Sequence, residues 1–165
     1  MNTRQALADR GGGNKVNSER ISLYKAQNII FVFSAVIFNI FVSAVYVSTK
    51  LDFLALRQIS GYIIISLIVP FTITLLGYTK KEADKKIIIS NMIVLLYLVL
   101  ELLLDYVLKI PFRDILVLHI PYIIVFYAAE FSMISVSFNY NRKVGLVVVS
   151  TFCILIVCLV YLYLG

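Results

Sequence analysis

The stretch LDYVLKIPFRDILVLH, residues 104–119, decides how many times the chain crosses a membrane. It is either a polar turn between two full-length apolar segments, which gives five spans, or a segment lying in the membrane interface, which gives four. Charged side chains are costly inside hydrocarbon, so a proline among clustered charges is typical of a turn at the membrane surface. We therefore predict five spans, with the turn formed by Lys109, Pro111, Arg113 and Asp114.

The composition around this stretch is that of a membrane protein. Hydrophobic residues make up 61% of the 165-residue chain, and its mean hydropathy is +0.95. Soluble domains are about 45–50% apolar. The excess falls in runs of about 20 residues, the length of helix that crosses a bilayer. The sequence thus predicts an all-α, polytopic five-transmembrane-helix bundle, with spans at 27–49, 57–78, 87–108, 115–138 and 144–164.

Two regions of unequal size follow from this pattern. Residues 1–25 are polar and are predicted to form a flexible cytoplasmic tail, whereas residues 26–165 form the transmembrane domain. The glycines at 11–13 lack the following Gly-Lys-Ser/Thr of a phosphate-binding loop, which favours a flexible segment. Alternatively, the tail binds an anionic membrane surface through Arg20 and Lys25.

Lysine and arginine are distributed unevenly between the two sides of the predicted bundle. One side has five in the tail, four in residues 80–86 and two in residues 142–143. The other side has Lys50, Arg57, Lys109 and Arg113. Because basic loops stay in the cytoplasm, we predict a multi-pass plasma-membrane protein with its N-terminus in the cytoplasm and its C-terminus outside. The net charge of +6 is explained by these loops, so no nucleic-acid partner is predicted.

Polar side chains recur at helical spacing on four of the five spans, which predicts that they share inward faces. The fifth span has no such pattern and is predicted to face lipid. Pro70 removes the hydrogen bond to the Ser66 carbonyl and predicts a kink. The four polar faces are Asn28, Ala35, Asn39 and Ser43; Tyr62, Ser66, Pro70 and Thr74; Ser90, Tyr97, Glu101 and Asp105; and His119, Tyr122, Phe126, Glu130, Met133 and Ser137.

The third and fourth spans carry the ionisable side chains and are joined by a short turn, so they are predicted to be antiparallel neighbours. Asp105 and His119 each lie roughly 11 Å from a span centre on the same side and are expected to pair. Glu101 lies roughly 5 Å from the centre on that side, and Glu130 roughly 5 Å on the other. These side chains, together with Tyr97, are predicted to form an intramembrane polar ladder, supported by Asn39, Ser66 and Pro70 on the first two spans.

The leading functional expectation is a non-enzymatic accessory subunit or assembly component, since the chain is small and its loops are short. In this interpretation the ladder holds helices together. The first alternative is a small proton- or cation-linked transport protein that uses the ladder as a path. The second is a lipid-modifying enzyme in which Glu101, Asp105 and His119 act as acid and base.

The residue types limit the chemistry further. A single histidine excludes bis-histidine haem ligation within one chain, and neither a Cys-x-x-Cys motif nor a Gly-x-Ser-x-Gly nucleophile elbow is present. No cofactor and no metal are therefore predicted. The predicted partners are the lipid bilayer and either another membrane protein or further copies of this chain.

Overall fold

The computed structural model describes residues 24–111, 113 and 115–164, and within these ranges it contains helices and no strand. Residues 1–23, which make up nearly all of the predicted flexible tail, lie outside the described residues. A π-helical turn, Leu102–Val107, continues the fourth helix. The helices are α1 Lys25–Lys50, α2 Leu54–Ser66, α3 Ile68–Lys80, α4 Lys85–Glu101, α5 Leu116–Tyr140 and α6 Arg142–Tyr163.

Five helical segments are long and apolar enough to cross a membrane, as the sequence predicted. They are Lys25–Lys50, Leu54–Lys80, Lys85–Val107, Leu116–Tyr140 and Arg142–Tyr163, each within a few residues of the expected bounds. Large apolar side chains such as Phe33, Leu76, Val117 and Val157 point outward and are exposed. A surface of this kind fits the hydrocarbon of a bilayer, so the architecture fits a multi-pass membrane protein.

Aromatic side chains fill the centre of the bundle. The ring centroids of Phe31 and Phe71 lie 5.2 Å apart, those of Phe38 and Tyr97 5.6 Å apart, and those of Tyr97 and Phe126 5.4 Å apart. Each pair meets edge to face, the arrangement that the charge distribution of the rings favours. Because lipid is as apolar as a side chain, such close packing and polar contacts hold membrane helices together.

The first helix is the hub of the bundle. It packs against α2, α3, α5 and α6, and its contact with α6 is the most extensive between any two helices in the described part of the chain. The fifth span was predicted to be peripheral, and it does have the smallest buried share of the five. It is nonetheless a principal partner of α1. The predicted antiparallel hairpin of the third and fourth spans is confirmed by the extensive contact of α4 with α5.

The second span is interrupted near its middle. α2 ends at Ser66 and α3 begins at Ile68, while the Leu67 amide donates to the Ile64 carbonyl at 3.1 Å in a tight turn. Pro70 has no amide hydrogen to offer the Ser66 carbonyl, so the regular pattern cannot continue through this point. The helix is therefore interrupted one turn before the proline, close to the position of the predicted kink.

The predicted polar face of this span is wrong for Tyr62 and Ser66, although Thr74 is buried as predicted. Tyr62 is 64% exposed and Ser66 is also exposed, with its hydroxyl donating to the Ile63 carbonyl at 2.7 Å. A serine hydroxyl can bond a carbonyl of its own helix and so need not face other helices. The residues that do face inward are spaced three and four apart: Ser60, Ile64, Leu67, Phe71, Thr74 and Tyr78.

Candidate functional site

A cleft of about 960 Å³ lies at one end of the bundle and is lined by residues from all five spans. This end of the bundle contains the turn at residues 51–53, the segment between α4 and α5, and the end of α6. Charged and titratable side chains in the cleft include Arg57, Glu101, Asp105, Lys109, Arg113 and His119. The rings that line it include Tyr46, Tyr97, Tyr106, Tyr122, Tyr127 and Tyr163.

Glu101, at the end of α4, lies deep in this cleft with its side chain 13% exposed. Its Oε2 accepts hydrogen bonds from the Tyr97 hydroxyl at 3.3 Å and from the Tyr122 hydroxyl. The two tyrosine hydroxyls lie 2.8 Å apart. Its Oε1 lies 3.5 Å from the Arg113 guanidinium. The carboxylate thus has donors from its own helix, from α5 and from the connecting segment, as a charge within an apolar bundle requires.

Arg113 joins the second carboxylate of the cleft to the first. Its Nη1 and Nη2 donate to the two oxygens of Asp105 at 3.0 and 2.7 Å, the two-point geometry that makes arginine–carboxylate pairs strong. Burial lowers the pKa of Arg113, but the hydrogen bond to Asp105 and the charge of Glu101 outweigh that effect and hold its pKa above the usual value. The guanidinium therefore stays cationic. We call Tyr97, Glu101, Asp105, Arg113 and Tyr122 the cleft cluster.

His119 does not pair with Asp105, contrary to the prediction. Its ring stacks on that of Tyr122 with 6.4 Å between centroids. Its Nδ1 is buried and has no hydrogen-bond partner within residues 24–111, 113 and 115–164. The depth count placed Asp105 and His119 level but ignored the segment between the helices. A planar guanidinium from that segment reaches Asp105 and takes both of its oxygens.

A π-helical turn brings Asp105 to the cleft. The Leu108 amide donates to the Leu103 carbonyl at 2.8 Å, and the Ile110 amide donates to the Leu104 carbonyl at 3.1 Å. These bonds span five and six residues rather than four, so this turn is wider than an α-helical one. Lys109 follows with a left-handed φ of 51° and redirects the chain toward Arg113. The run of leucines before Asp105 gave no sign of this turn.

Glu130 belongs to a different cluster, which divides the predicted ladder in two. It is fully buried on α5, and its hydrogen-bond partner comes from α1 rather than from α4. When the Asn39 amide is turned so that donors face acceptors, its Nδ2 lies 2.9 and 3.0 Å from the Glu130 oxygens and its Oδ1 accepts from Thr151 at 3.0 Å. We call Asn39, Glu130 and Thr151 the buried node.

Aromatic packing lies between the two clusters. Phe126 is one helical turn from Tyr122 and one from Glu130, and its ring lies 6.4 Å from Phe38 and 5.4 Å from Tyr97. Helical periodicity showed that Glu101 and Glu130 face inward, but it could not show which neighbouring helix each one meets. Arg113 was not among the predicted site residues, although its charge is opposite to that of Asp105, eight residues earlier, and was a usable signal.

The chain was compared with protein-family models, with curated proteins and with solved structures, and none of them matches it.

Proposed function

We propose that this protein is a non-enzymatic accessory component of the plasma membrane that binds a ligand in its cleft. The observation that carries the proposal is the cleft itself, with its volume of about 960 Å³ and its lining from all five spans. Binding sites for small molecules are typically about 300–1,000 Å³, mostly apolar, and contain a few convergent polar groups. Here the convergent groups are those of the cleft cluster.

The proposed orientation has the N-terminus in the cytoplasm, so that the cleft opens on the outer face. The excess of lysine and arginine at the opposite end of the bundle supports this orientation. A membrane-impermeant maleimide applied to intact cells is expected to label the Lys109→Cys variant and to spare Lys81→Cys. Cys153 and Cys158 are replaced by alanine in both variants. Labelling of Lys81→Cys alone would reverse the orientation.

The cleft geometry favours binding over the two alternatives. A lipid-modifying enzyme would use a histidine with a carboxylate, but the carboxylates of Glu101 and Asp105 are bonded to tyrosines and to Arg113. A proton or cation path would join Glu101 to Glu130, but packed aromatic rings lie between them. A binding role requires neither connection.

Native mass spectrometry of the protein, released gently from its own membrane, tests the proposal. We expect the wild-type ion to carry a small bound molecule. Gly61 lines the cleft, and a side chain there would meet the Tyr106 hydroxyl, so Gly61→Leu should remove that molecule. Gly77→Leu is the matched control because it enlarges the same span toward the opposite end, where the added side chain meets Gln27 rather than the cleft.

Two results would contradict the ligand-binding proposal. One is a bound molecule that survives Gly61→Leu as well as it survives Gly77→Leu, because the molecule would then lie elsewhere. The other is a chain that carries no small molecule but keeps a second polypeptide in fixed ratio, which would make the cleft a protein interface.

A further inference from the structure

The charged side chains of the cleft fall into two groups. Arg113 lies among the carboxylates, with its guanidinium 2.7 Å from Asp105 and 3.5 Å from Glu101. Arg57 and Lys109 line the same cleft. In the described part of the chain, neither of these two side chains has a nitrogen within 4.0 Å of a carboxylate oxygen. The cleft therefore presents two cations that are not paired with the carboxylates on its floor.

These two cations lie where the cleft meets the surroundings of the protein. Arg57 is in the first turn of α2, and Lys109 follows the π-helical turn with its left-handed φ of 51°. Both residues are exposed, at the end of the bundle that contains the charged segment between α4 and α5. Basic side chains at the end of a membrane span lie at the level of lipid headgroups. Arginine and lysine both donate charge-assisted hydrogen bonds to phosphate oxygens, so the pair is suited to a phosphate group.

The wall of the cleft below these cations is apolar and comes from three spans. It includes Val42 and Val45 on α1, Ile64 on α2, and Leu159 and Leu162 on α6. A hydrocarbon chain against this wall would bury apolar side chains of the protein that no other helix covers. The cleft thus offers a phosphate-binding rim and an apolar wall, the two surfaces that a phospholipid requires.

The cleft is separated from the surrounding bilayer by a thin wall between α2 and the π-helical turn. α2 packs extensively against α1 but contacts α4 only slightly. Tyr106 lines the cleft, whereas Tyr62 is 64% exposed on the outside of the bundle, and their ring centroids lie 5.5 Å apart. One pair of aromatic rings therefore stands between the cleft and lipid at this point.

We propose that the ligand of the cleft is a membrane phospholipid. Its phosphodiester lies against Arg57 and Lys109, and one of its acyl chains lies along the apolar wall. The lipid enters between α2 and the π-helical turn, where Tyr62 and Tyr106 separate, and its second chain stays in the bilayer. The proposal rests on the ligand-binding function and specifies the class of ligand. Arg113 keeps its carboxylate partners throughout.

Fluorescence quenching by brominated lipids in maltoside micelles tests the ligand class. The chain contains no tryptophan, so Phe126→Trp places a single indole in the cleft. The probe is phosphatidylglycerol with brominated acyl chains, whose phosphodiester is its only charged group. Its control is diacylglycerol with the same brominated chains. We expect the phospholipid to quench the indole at a concentration about tenfold lower, as two half-exposed ion pairs would give. Equal quenching by the two lipids would overturn the proposal.

A matched reporter distinguishes a lipid in the cleft from lipid around the protein. Phe71→Trp places the indole at a fully buried position that does not line the cleft. Under the same conditions we expect strong quenching of Phe126→Trp and little quenching of Phe71→Trp. Equal quenching at both positions would mean that the brominated chains do not enter the cleft, and would overturn the proposal.

Charge variants made in the Phe126→Trp protein test the headgroup contacts. Arg57→Gln and Lys109→Gln should each weaken binding of the brominated phosphatidylglycerol roughly two- to fivefold. Lys86→Gln is the control because it removes an exposed cation at the opposite end of the bundle. Unchanged affinity in both cleft variants, with helix content retained, would overturn the assignment of the phosphate contacts.

Two sources of the phosphate group are distinguished by competition and by mass. Unlabelled phosphatidylglycerol should displace the brominated lipid, whereas glycerol 3-phosphate at the same concentration should not. Equal displacement by glycerol 3-phosphate would identify a free phosphate ester and overturn the lipid assignment. In native mass spectrometry of the wild-type protein, the molecule that Gly61→Leu removes should have the mass of a phospholipid. A molecule without phosphate that Gly61→Leu removes would leave the ligand-binding function intact and reject only the ligand class.

Discussion

Glu101 and Glu130 are both carboxyl groups within apolar helices, but their surroundings differ. Glu101 lies in an open cleft and bonds tyrosines and an arginine that is itself half exposed. Glu130 is fully buried, and the Asn39 amide lies between it and Thr151. A group in the cleft can exchange a protein partner for water or for a ligand, whereas a group in the buried node has no access to either.

The difference between these surroundings determines what each carboxyl group loses when a hydrogen-bond partner is removed. An unsatisfied polar group costs most where nothing can replace the lost partner. The buried node is therefore suited to fixing α1, α5 and α6 against one another. The cleft cluster, in which a lost hydrogen bond is replaced by water, is suited to exchanging partners and hence to binding.

The largest effect is expected at the buried node. Asn39→Leu removes the amide that faces Glu130 and should lower the free energy of unfolding by about 1–3 kcal/mol. The double variant with Glu130→Leu removes both polar groups and should be close to wild type. Unfolding in mixed micelles measures both changes. A double variant less stable than Asn39→Leu alone would show that the node is not a simple donor–acceptor pair.

A matched pair of tyrosine substitutions compares open and closed surroundings directly. The buried Tyr78 hydroxyl donates to Asn28 at 2.7 Å near the opposite end of the bundle, whereas the Tyr122 hydroxyl donates to Glu101 in the cleft. Tyr78→Phe should cost about 1–2 kcal/mol of unfolding free energy, and Tyr122→Phe less than about 1 kcal/mol because water can replace the lost donor. The reverse order would mean that the cleft excludes water.

The smallest effect on stability is expected for Arg113→Gln. Because its side chain is half exposed, the ion pairs should contribute about 0.2–1 kcal/mol, and the difference from wild type should shrink in 1 M salt. The loss caused by Asn39→Leu should be insensitive to salt, since no exposed ion pair is involved. The same unfolding assay at two salt concentrations checks both statements, and a salt-insensitive Arg113→Gln would indicate that the pair is shielded.

The features that the sequence predicted correctly are those that depend on the bilayer. Five apolar runs gave five membrane-length helical segments because each span must be long enough to cross and must satisfy its own backbone. Because the segment after Asp105 is short, α4 and α5 were predicted to be antiparallel neighbours, and they pack against each other over an extensive contact. The inward face of the fourth span, including Phe126 and Glu130, followed from helical spacing alone.

The partners of the polar side chains could not be predicted in the same way. The spacing of residues along one helix shows which of them point into the bundle. Which neighbouring helix they contact depends on how all five spans pack. Glu130 therefore met Asn39 rather than a residue of α4, and the π-helical turn at Leu102–Val107 had no counterpart in the pattern of apolar residues. Ser66 shows that a polar residue within a span need not face other helices. Its hydroxyl donates to a carbonyl of its own helix, so its presence does not indicate which face of the helix is packed.

The central position of α1 has a consequence for the order in which the chain is made. Asn39 must enter the bilayer with the first span, yet Thr151 follows it by 112 residues. At typical synthesis rates of about 5–20 residues per second, that interval is roughly 6–22 s. During this time the Asn39 side chain lacks its partner on α6. A crosslinking assay on the nascent chain should therefore find that the first span stays in contact with a helper protein or with the translocation channel until the fifth span is inserted.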